Sequence, residues 1–413
     1  MNNEDKQKLL KESDTFCMMP FIHMYLNTDG AVLPCCTAQY SMPLGNVRDQ
    51  SIVEIWNREE YKEIRRKIVN GEPVNNCKSC YLHDKESGGT NSFRQWANRD
   101  FEQFIDVVDD MEPDGTMTTM PLKYFDVRFS NICNYKCRTC GDLFSTSWAA
   151  ENKKFRLADS NKPITIHVSN EDPALLEQFK PHLPDMHVIY FAGGEPLITP
   201  EHYEVLEYLV EKESTSMLLR YNSNMSILHY KDKNVIDLWN KFEKVDLYAS
   251  LDSWGTRAEY IRNGTDWPTV VSNLKRIKQE SPHVSIQFNA VISLMNVLTV
   301  TEFLDELIKE GLYDPYESRP TLYRAITPPE LSMRVLDEET KAEAKDKILK
   351  WLAKFETSPS KVDYALRDIV AYMDEDHSHL KQQALWHIET FDKRRNENFV
   401  ETFPELKAWY ERK

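Results

Sequence analysis

No cysteine occurs anywhere between Gly141 and Lys413; all eight lie in the first third of the 413-residue chain. Buried structural thiols would scatter through a core, so this distribution already points to ligands. No apolar run approaches the length of a membrane span. The N-terminus, MNNEDKQKLLKESD, lacks the apolar stretch of a secretory signal. A cytoplasmic location is therefore expected, with no membrane partner. Thiols stay reduced there, and clustered cysteines bind metal more often than they form disulfides. Excess positive charge is missing too. Lys and Arg number 51 against 66 Asp and Glu, a net charge of −15, which disfavours nucleic acid as a partner. Internal repeats and low-complexity tracts are also lacking.

The length suits two or three domains, and 41% hydrophobic residues can build a substantial core. Residues 1–90 read as a small α+β cysteine-rich module. Turn residues are frequent there, and SIVEIWNREEYKEIRRKIVNG is helix-like, with Gly71 as its stop. Residues 91–120 read as a linker, a charged helix followed by DDMEPDGTMTTMP. From 121 to 328, strand-like and helix-like runs alternate. LKYFDVRFS, MHVIYFAGG, SMLLRYNSN, VDLYASLD, VSIQFNAVIS and RPTLYRAI are the six strand candidates. TEFLDELIKEG, capped by Gly311, is a clear helix. This is an α/β pattern of parallel βα units, and it leaves a partial TIM-like barrel and an open doubly wound sheet undecided. Residues 329–413 read as a helical C-terminal extension. Its Trp351, Phe355, Trp386 and Trp409 could line a substrate lid, but packing of helices onto the core is the favoured reading.

NICNYKCRTCG places Cys133, Cys137 and Cys140 in a C-x3-C-x2-C loop directly after the first of these strands. Three thiolates on a short loop can hold a four-iron cluster and leave one iron open to a small molecule. Active sites of parallel α/β folds gather at such strand ends. Zinc, which usually takes a fourth ligand, and chance clustering are the rival readings. This loop resembles the signature of radical S-adenosylmethionine (SAM) enzymes. Gly193, Gly194, Glu195 and Pro196, ending the next strand run, resemble the GGEP motif that receives the SAM amino group in that family. Asn222, and Ser250 with Asp252, fall at two later strand ends similar to its SAM-binding positions, and Arg262, in YIRNGTDW, could pair with the SAM carboxylate; the alternative for each of the four is to cap a helix or close a turn. Thr139 stands where many members carry an aromatic residue against the adenine, so the adenine contact is unassigned. The resemblance spans residues 121–326. It implies a partial (β/α)6 barrel, a [4Fe–4S] cluster and bound SAM. It also implies hydrogen abstraction by a 5′-deoxyadenosyl radical, with electrons from a reductase such as flavodoxin or ferredoxin.

Before the barrel, Cys17, a DG turn, the Cys35–Cys36 pair, a GN turn, an IW-containing helix and Cys77-x2-Cys80 follow in order. This resembles the auxiliary-cluster modules called SPASM and twitch domains, which normally follow the barrel. The resemblance implies four ligands, Cys17, Cys35, Cys77 and Cys80, for a second [4Fe–4S] cluster. Cys36 is left over. A zinc ribbon is the alternative for the module. His23 and His83 read as structural or surface residues. The resemblance implies an oxidoreductase or peptide-modifying enzyme. Its substrate would be a peptide or protein side chain, undergoing oxidation, crosslinking or epimerisation. Dehydrogenation of a small molecule is the alternative reaction. A non-catalytic metal-binding or electron-transfer protein is the alternative of another class.

Overall fold

The computed structural model describes residues 1–86, 92–155, 163–168, 174–318, 320–355 and 361–412. Asn91, which opens the expected linker, and Arg319, which opens the last expected strand, lie outside them. The chain is α/β with a mostly parallel central sheet, and it divides into two compact units. One comprises Met1–Ile132, Asn161–Arg220 and Asn240–Val245; the other comprises Cys133–Ser160, Tyr221–Trp239 and Asp246–Lys413.

All six strand candidates form, at Tyr124–Val127, Val188–Phe191, Leu218–Ser223, Lys244–Ser250, Val284–Ile292 and Thr321–Arg324. Thr321–Arg324 is an edge strand in the second unit and Gly45–Asn46 an edge strand in the first, so the sheet is not a closed barrel.

In the first unit, Val188–Phe191 and His23–Leu26 flank Tyr124–Val127, both parallel to it. Ala31–Leu33 and then Gly45–Asn46 extend this sheet antiparallel. The first strand of the cysteine module thus pairs directly with the first strand of the α/β core. Within the stretch expected as a connector, the helix Phe93–Asp100 buries Arg94, Ala97 and Asn98. Asn98 in the helix Phe93–Asp100 is buried, accepts from the Met18 amide at 3.0 Å and donates to the Phe16 carbonyl at 3.1 Å. Arg94 pairs with Asp84 and donates to the carbonyls of Ser13 and Phe16. A polar helix can therefore be interior when its side chains satisfy backbone groups. The helix-like stretch after Asp49 forms two helices, Ile52–Trp56 and Glu59–Val69. Asn57 breaks it, its side-chain oxygen accepting from the Met117 amide at 2.9 Å.

In the second unit, Thr321–Arg324 pairs parallel with Val284–Ile292. The helices Glu338–Leu352, Asp363–Tyr372 and Lys381–Arg395 form the C-terminal extension. Trp351 and Trp409 are buried in it, whereas Trp386 is exposed. Packing explains the first two.

Candidate metal centres and cofactor site

The cysteine triad lies in the second unit. Lys136–Cys137 forms a short strand antiparallel to Arg262–Asn263, with Cys137 opposite Arg262. The Arg138 amide donates to the Ile261 carbonyl at 2.8 Å, and the Cys140 amide turns back to the Cys137 carbonyl at 3.0 Å. Thr146 and Ser147, opening the helix Thr146–Lys154, donate to the Cys133 carbonyl at 3.2 and 2.9 Å. Trp148 Nε1 donates to the Cys137 carbonyl at 2.7 Å. These bonds hold the loop backbone at the Cys133 and Cys137 carbonyls and at the Cys140 amide.

Two arginines complete the grip. Arg138 is fully buried, lies 3.7 Å over the Tyr260 ring, and pairs with Asp392 at 2.9 Å and Glu397 at 2.5 Å. Arg395 donates to the Lys136 carbonyl at 3.0 Å and pairs with Glu151 at 2.8 Å. Charge-assisted, multiply bonded guanidinium groups are among the strongest polar restraints available. The helical extension thus clamps the cysteine loop.

Arg262 also pairs with Asp252 at 3.2 Å. Asp252 is buried, and its other oxygen accepts from the Val291 amide at 2.8 Å. Both carboxylate oxygens are therefore used within the protein, and Asp252 orients Arg262. Burial works against the Arg262 cation, but Cys137 and Asp252 outweigh it and hold its pKa above the ordinary value. Burial pushes the Cys137 thiol up to about 12, against a smaller lowering by Arg262, and also raises Cys140. Asn222 accepts from Asn289 Nδ2 at 2.9 Å, and Ser250 is half-buried at its strand end. Asn134 and Asn224 join the triad loop to the turn after the strand Leu218–Ser223, Asn224 Nδ2 donating to Asn134 Oδ1 at 2.9 Å. Sequence reasoning missed Arg138, Asn134 and Asn224. The only available signal was their place inside or beside the motifs.

Gly193, Gly194 and Glu195 belong to the first unit. The Gly194 and Glu195 amides donate to the carbonyls of Ser130 at 3.1 Å and Ile132 at 2.7 Å. A side chain at Gly194 would overlap the Ile132 carbonyl oxygen, so only glycine lets the two segments approach this closely. Glu195 is buried, and its carboxylate accepts from the Leu197 amide at 3.1 Å, capping the turn that follows.

The second cysteine group is also in the first unit. Thr37 Oγ1 lies 3.3 Å from Cys35 Sγ and 3.7 Å from Cys80 Sγ, which brings these two thiols together. Cys77 ends a short 3-10 turn, and Cys80 lies in the helix Lys78–Glu86 that continues from it. Burial pushes Cys17 well up, with further increments from Cys77, Cys35 and Cys80. It pushes Cys35 to about 11 and Cys77 to about 12, and the neighbouring thiols add to both. These four cysteines therefore form one electrostatic group. Cys36 is exposed, unlike the buried Cys35 beside it. His23 is buried, with Nδ1 2.9 Å from the Tyr124 carbonyl and a pKa lowered to about 3 by burial, a structural role.

None of the eight cysteines forms a disulfide. Among the described residues, no three His, Cys, Asp or Glu side chains close round a single-ion site. Both groups are all-sulfur sets in low-dielectric surroundings, where thiolates are unfavourable unless iron supplies the compensating charge. That suits iron–sulfur ligation.

Residues 17–81, spanning Cys17 to just beyond Cys80, match the SPASM family, described as an iron–sulfur cluster-binding domain. The module expected at the N-terminus is thus present. No curated protein matches the chain. Among solved structures, native anSMEcpe with bound AdoMet and a Cp18Cys peptide is similar at 15% identity. That match covers 57% of this chain and 61% of the other, with a TM-score of 0.39. Streptococcus suis SuiB bound to S-adenosylmethionine is similar at 14% identity, covering 71% and 64%, with a TM-score of 0.38. TYW1 with a lysine–pyruvate adduct is similar at 14% identity, covering 58% and 72%, with a TM-score of 0.31. The chain thus spans about three-fifths of the length of the first two.

Proposed function

We propose that this chain is a radical SAM enzyme with an auxiliary iron–sulfur cluster, acting on a peptide or protein side chain. The observation that carries the reading is the register of Cys137 with Arg262, which is itself held by Asp252. Two residues singled out for SAM and one singled out for iron, far apart in sequence, meet at one short strand pair. A structural metal site has no use for that arginine.

Cys133, Cys137 and Cys140 would hold the first cluster, and Cys17, Cys35, Cys77 and Cys80 the second. When bound, the reduced cluster and SAM supply a 5′-deoxyadenosyl radical that removes a hydrogen atom from the substrate. Arg262 places a fixed positive charge beside the thiolates and offers a donor to the SAM carboxylate. Asp252 keeps that guanidinium oriented. The strand end Gly193–Glu195 is the stretch that the resemblance gives to the amino end of SAM. Asn222 and Ser250 offer polar groups to the ribose. We read the sheet as the core of an incomplete (β/α)6 barrel. The all-thiol auxiliary set suits acceptance of an electron from the substrate radical, which favours oxidation or crosslinking. A flavodoxin or ferredoxin would supply the first electron.

Anaerobic reconstitution tests this. About eight irons per chain are expected, four per cluster, with slow SAM cleavage to 5′-deoxyadenosine and methionine. Stoichiometric zinc without a brown chromophore and without cleavage would refute the proposal.

A further inference from the structure

The loop that follows Cys35 carries an uncharged surface. No charged residue occurs between Asp29 and Arg48, in a chain that is 28% charged. Residues 36, 37 and 39–43 of this stretch are nonetheless exposed. Among them Tyr40 and Met42 are large apolar side chains open to solvent, and so is Leu82 in the neighbouring helix Lys78–Glu86. Ser79, one helical turn before Leu82, donates to the Thr37 carbonyl at 3.2 Å, which sets loop and helix face side by side. Contact sites are depleted of charge at their centre, and exposed apolar groups that gather mark them.

Beside the loop, in the same unit, lies a groove of about 460 Å³. Leu44, Ile64 and Val74 are its buried walls, and the exposed Met42 and Pro43 line it too. Its charged lining residues are Glu60, Glu63 and Lys67. Glu63 pairs with Lys67 at 2.5 Å and Glu60 with Arg58 at 2.7 Å. Around the loop, Asp29 accepts from the Tyr40 hydroxyl, and Lys78 stands exposed beside Ser79. Charges of the two signs therefore balance across the whole patch. Asn75 and Asn76 also line the groove, Asn76 Nδ2 donating to the Met42 carbonyl at 2.9 Å, and Cys77 is the next residue. Thr37 is exposed, yet its Oγ1 lies 3.3 Å from Cys35 Sγ and 3.7 Å from Cys80 Sγ. A single side chain separates two of the proposed ligands from solvent.

An auxiliary set that accepts an electron from the substrate radical has to release it before the next turnover. The uncharged loop surrounds the shortest way out, through Thr37. We infer that this loop, the helix face bearing Leu82 and the adjoining groove dock an electron-carrier protein of the iron–sulfur type. The carrier's oxidised centre takes up one electron there; no bond forms and no proton moves. This rests on the electron-acceptor role proposed above and names the partner which that role requires. Redox encounters use small interfaces. With balanced charge on this face, association depends on apolar contact, with Met42 and Leu82 as the anchors, rather than on electrostatic steering.

The test uses full-length reconstituted protein, without SAM or substrate, and oxidised [2Fe–2S] ferredoxin as the probe. Binding is read by anaerobic isothermal titration calorimetry. The unaltered protein should bind the probe with an affinity that changes less than about twofold between about 50 and 300 mM salt. Met42→Gln combined with Leu82→Gln makes both anchors polar without adding charge, and affinity should fall roughly tenfold. Leu349→Gln, at an exposed leucine of the C-terminal extension, should leave binding unchanged. Iron content checks folding. If the double variant loses iron, Leu82→Gln alone decides, with a fall of about threefold expected. No binding, native affinity in the groove variants, a steep salt dependence, or displacement of ferredoxin by capped random hexapeptides would each overturn the inference. SAM cleavage by the unaltered protein is measured separately. Binding without cleavage refutes the radical chemistry and leaves the docking face standing, whereas cleavage without binding overturns the docking face alone.

Discussion

The loop bearing Cys133, Cys137 and Cys140 is anchored through Arg138 to Asp392 and Glu397, 254 and 259 residues away in sequence. Cys35 and Cys80, by contrast, meet at Thr37, only two residues from one and 43 from the other. One site depends on charges brought in from the far end of the chain, and the other on a local turn and a helix start. A ligand motif therefore says which residues hold a metal without saying what holds the ligands. The two sites should accordingly fail in different ways.

The largest effect is expected for Cys137→Ala. Losing one of three thiolates should remove about four irons and abolish SAM cleavage, as read by iron analysis and chromatography of 5′-deoxyadenosine. Native cleavage in this variant would show that the triad is misassigned.

Cys77→Ala with Cys80→Ala should also remove about four irons, and no modified product should form. Electron paramagnetic resonance should show the remaining iron as a single cluster type. If turnover continues at the native rate, the auxiliary cluster is structural and the electron-acceptor role is wrong.

The comparison sharpens at the clamp. Asp392→Asn with Glu397→Gln leaves Arg138 buried without a carboxylate, which costs about 3–5 kcal/mol. Thermal melting should show a lower midpoint, and iron loss should fall on the triad cluster while the auxiliary cluster persists. Equal loss from both sites would mean that the clamp serves general stability alone.

The smallest effect is a pH dependence. Burial opposes ionisation of Glu151, but Arg395 and Lys136 prevail and hold its pKa below the usual carboxylate value. A depressed carboxylate contributes stability that is fully present above its unfolded pKa, about 4.3 for Glu. That stability is lost as pH falls through the lower folded pKa. In urea unfolding, the difference between the native protein and Glu151→Gln should therefore be constant from pH 7 to 5 and shrink below about 4. A difference that grows on acidification would reverse the assigned role.

Much of this was legible in the sequence. The six strands are short β-branched and aromatic runs bounded by turn residues, a pattern that tertiary context had no reason to override. The cysteine spacings mark both groups because a loop's reach limits which thiols can share a cluster. Other features could not be read. The stretch 91–120 looks like a connector because Arg94 and Asn98 are polar; that they bury themselves against the carbonyl of Phe16 is a tertiary fact. Asp252 reads as a free ligand-binding carboxylate, whereas both its oxygens are taken, by the Val291 amide and by Arg262. Cys36 is left over in the sequence, and it is exposed where Cys35 is buried.

The parallel pairing of His23–Leu26 with Tyr124–Val127 also imposes an order in time. On the ribosome the module's strand and all its cysteines emerge first, and Tyr124 follows His23 by 101 residues. At about 5–20 residues per second, that is a wait of roughly 5–20 seconds. During it one flank of the strand has only Ala31–Leu33 on its other side, and an open strand flank invites pairing with another chain. Cluster insertion into the nascent module would therefore take place on a half-finished sheet.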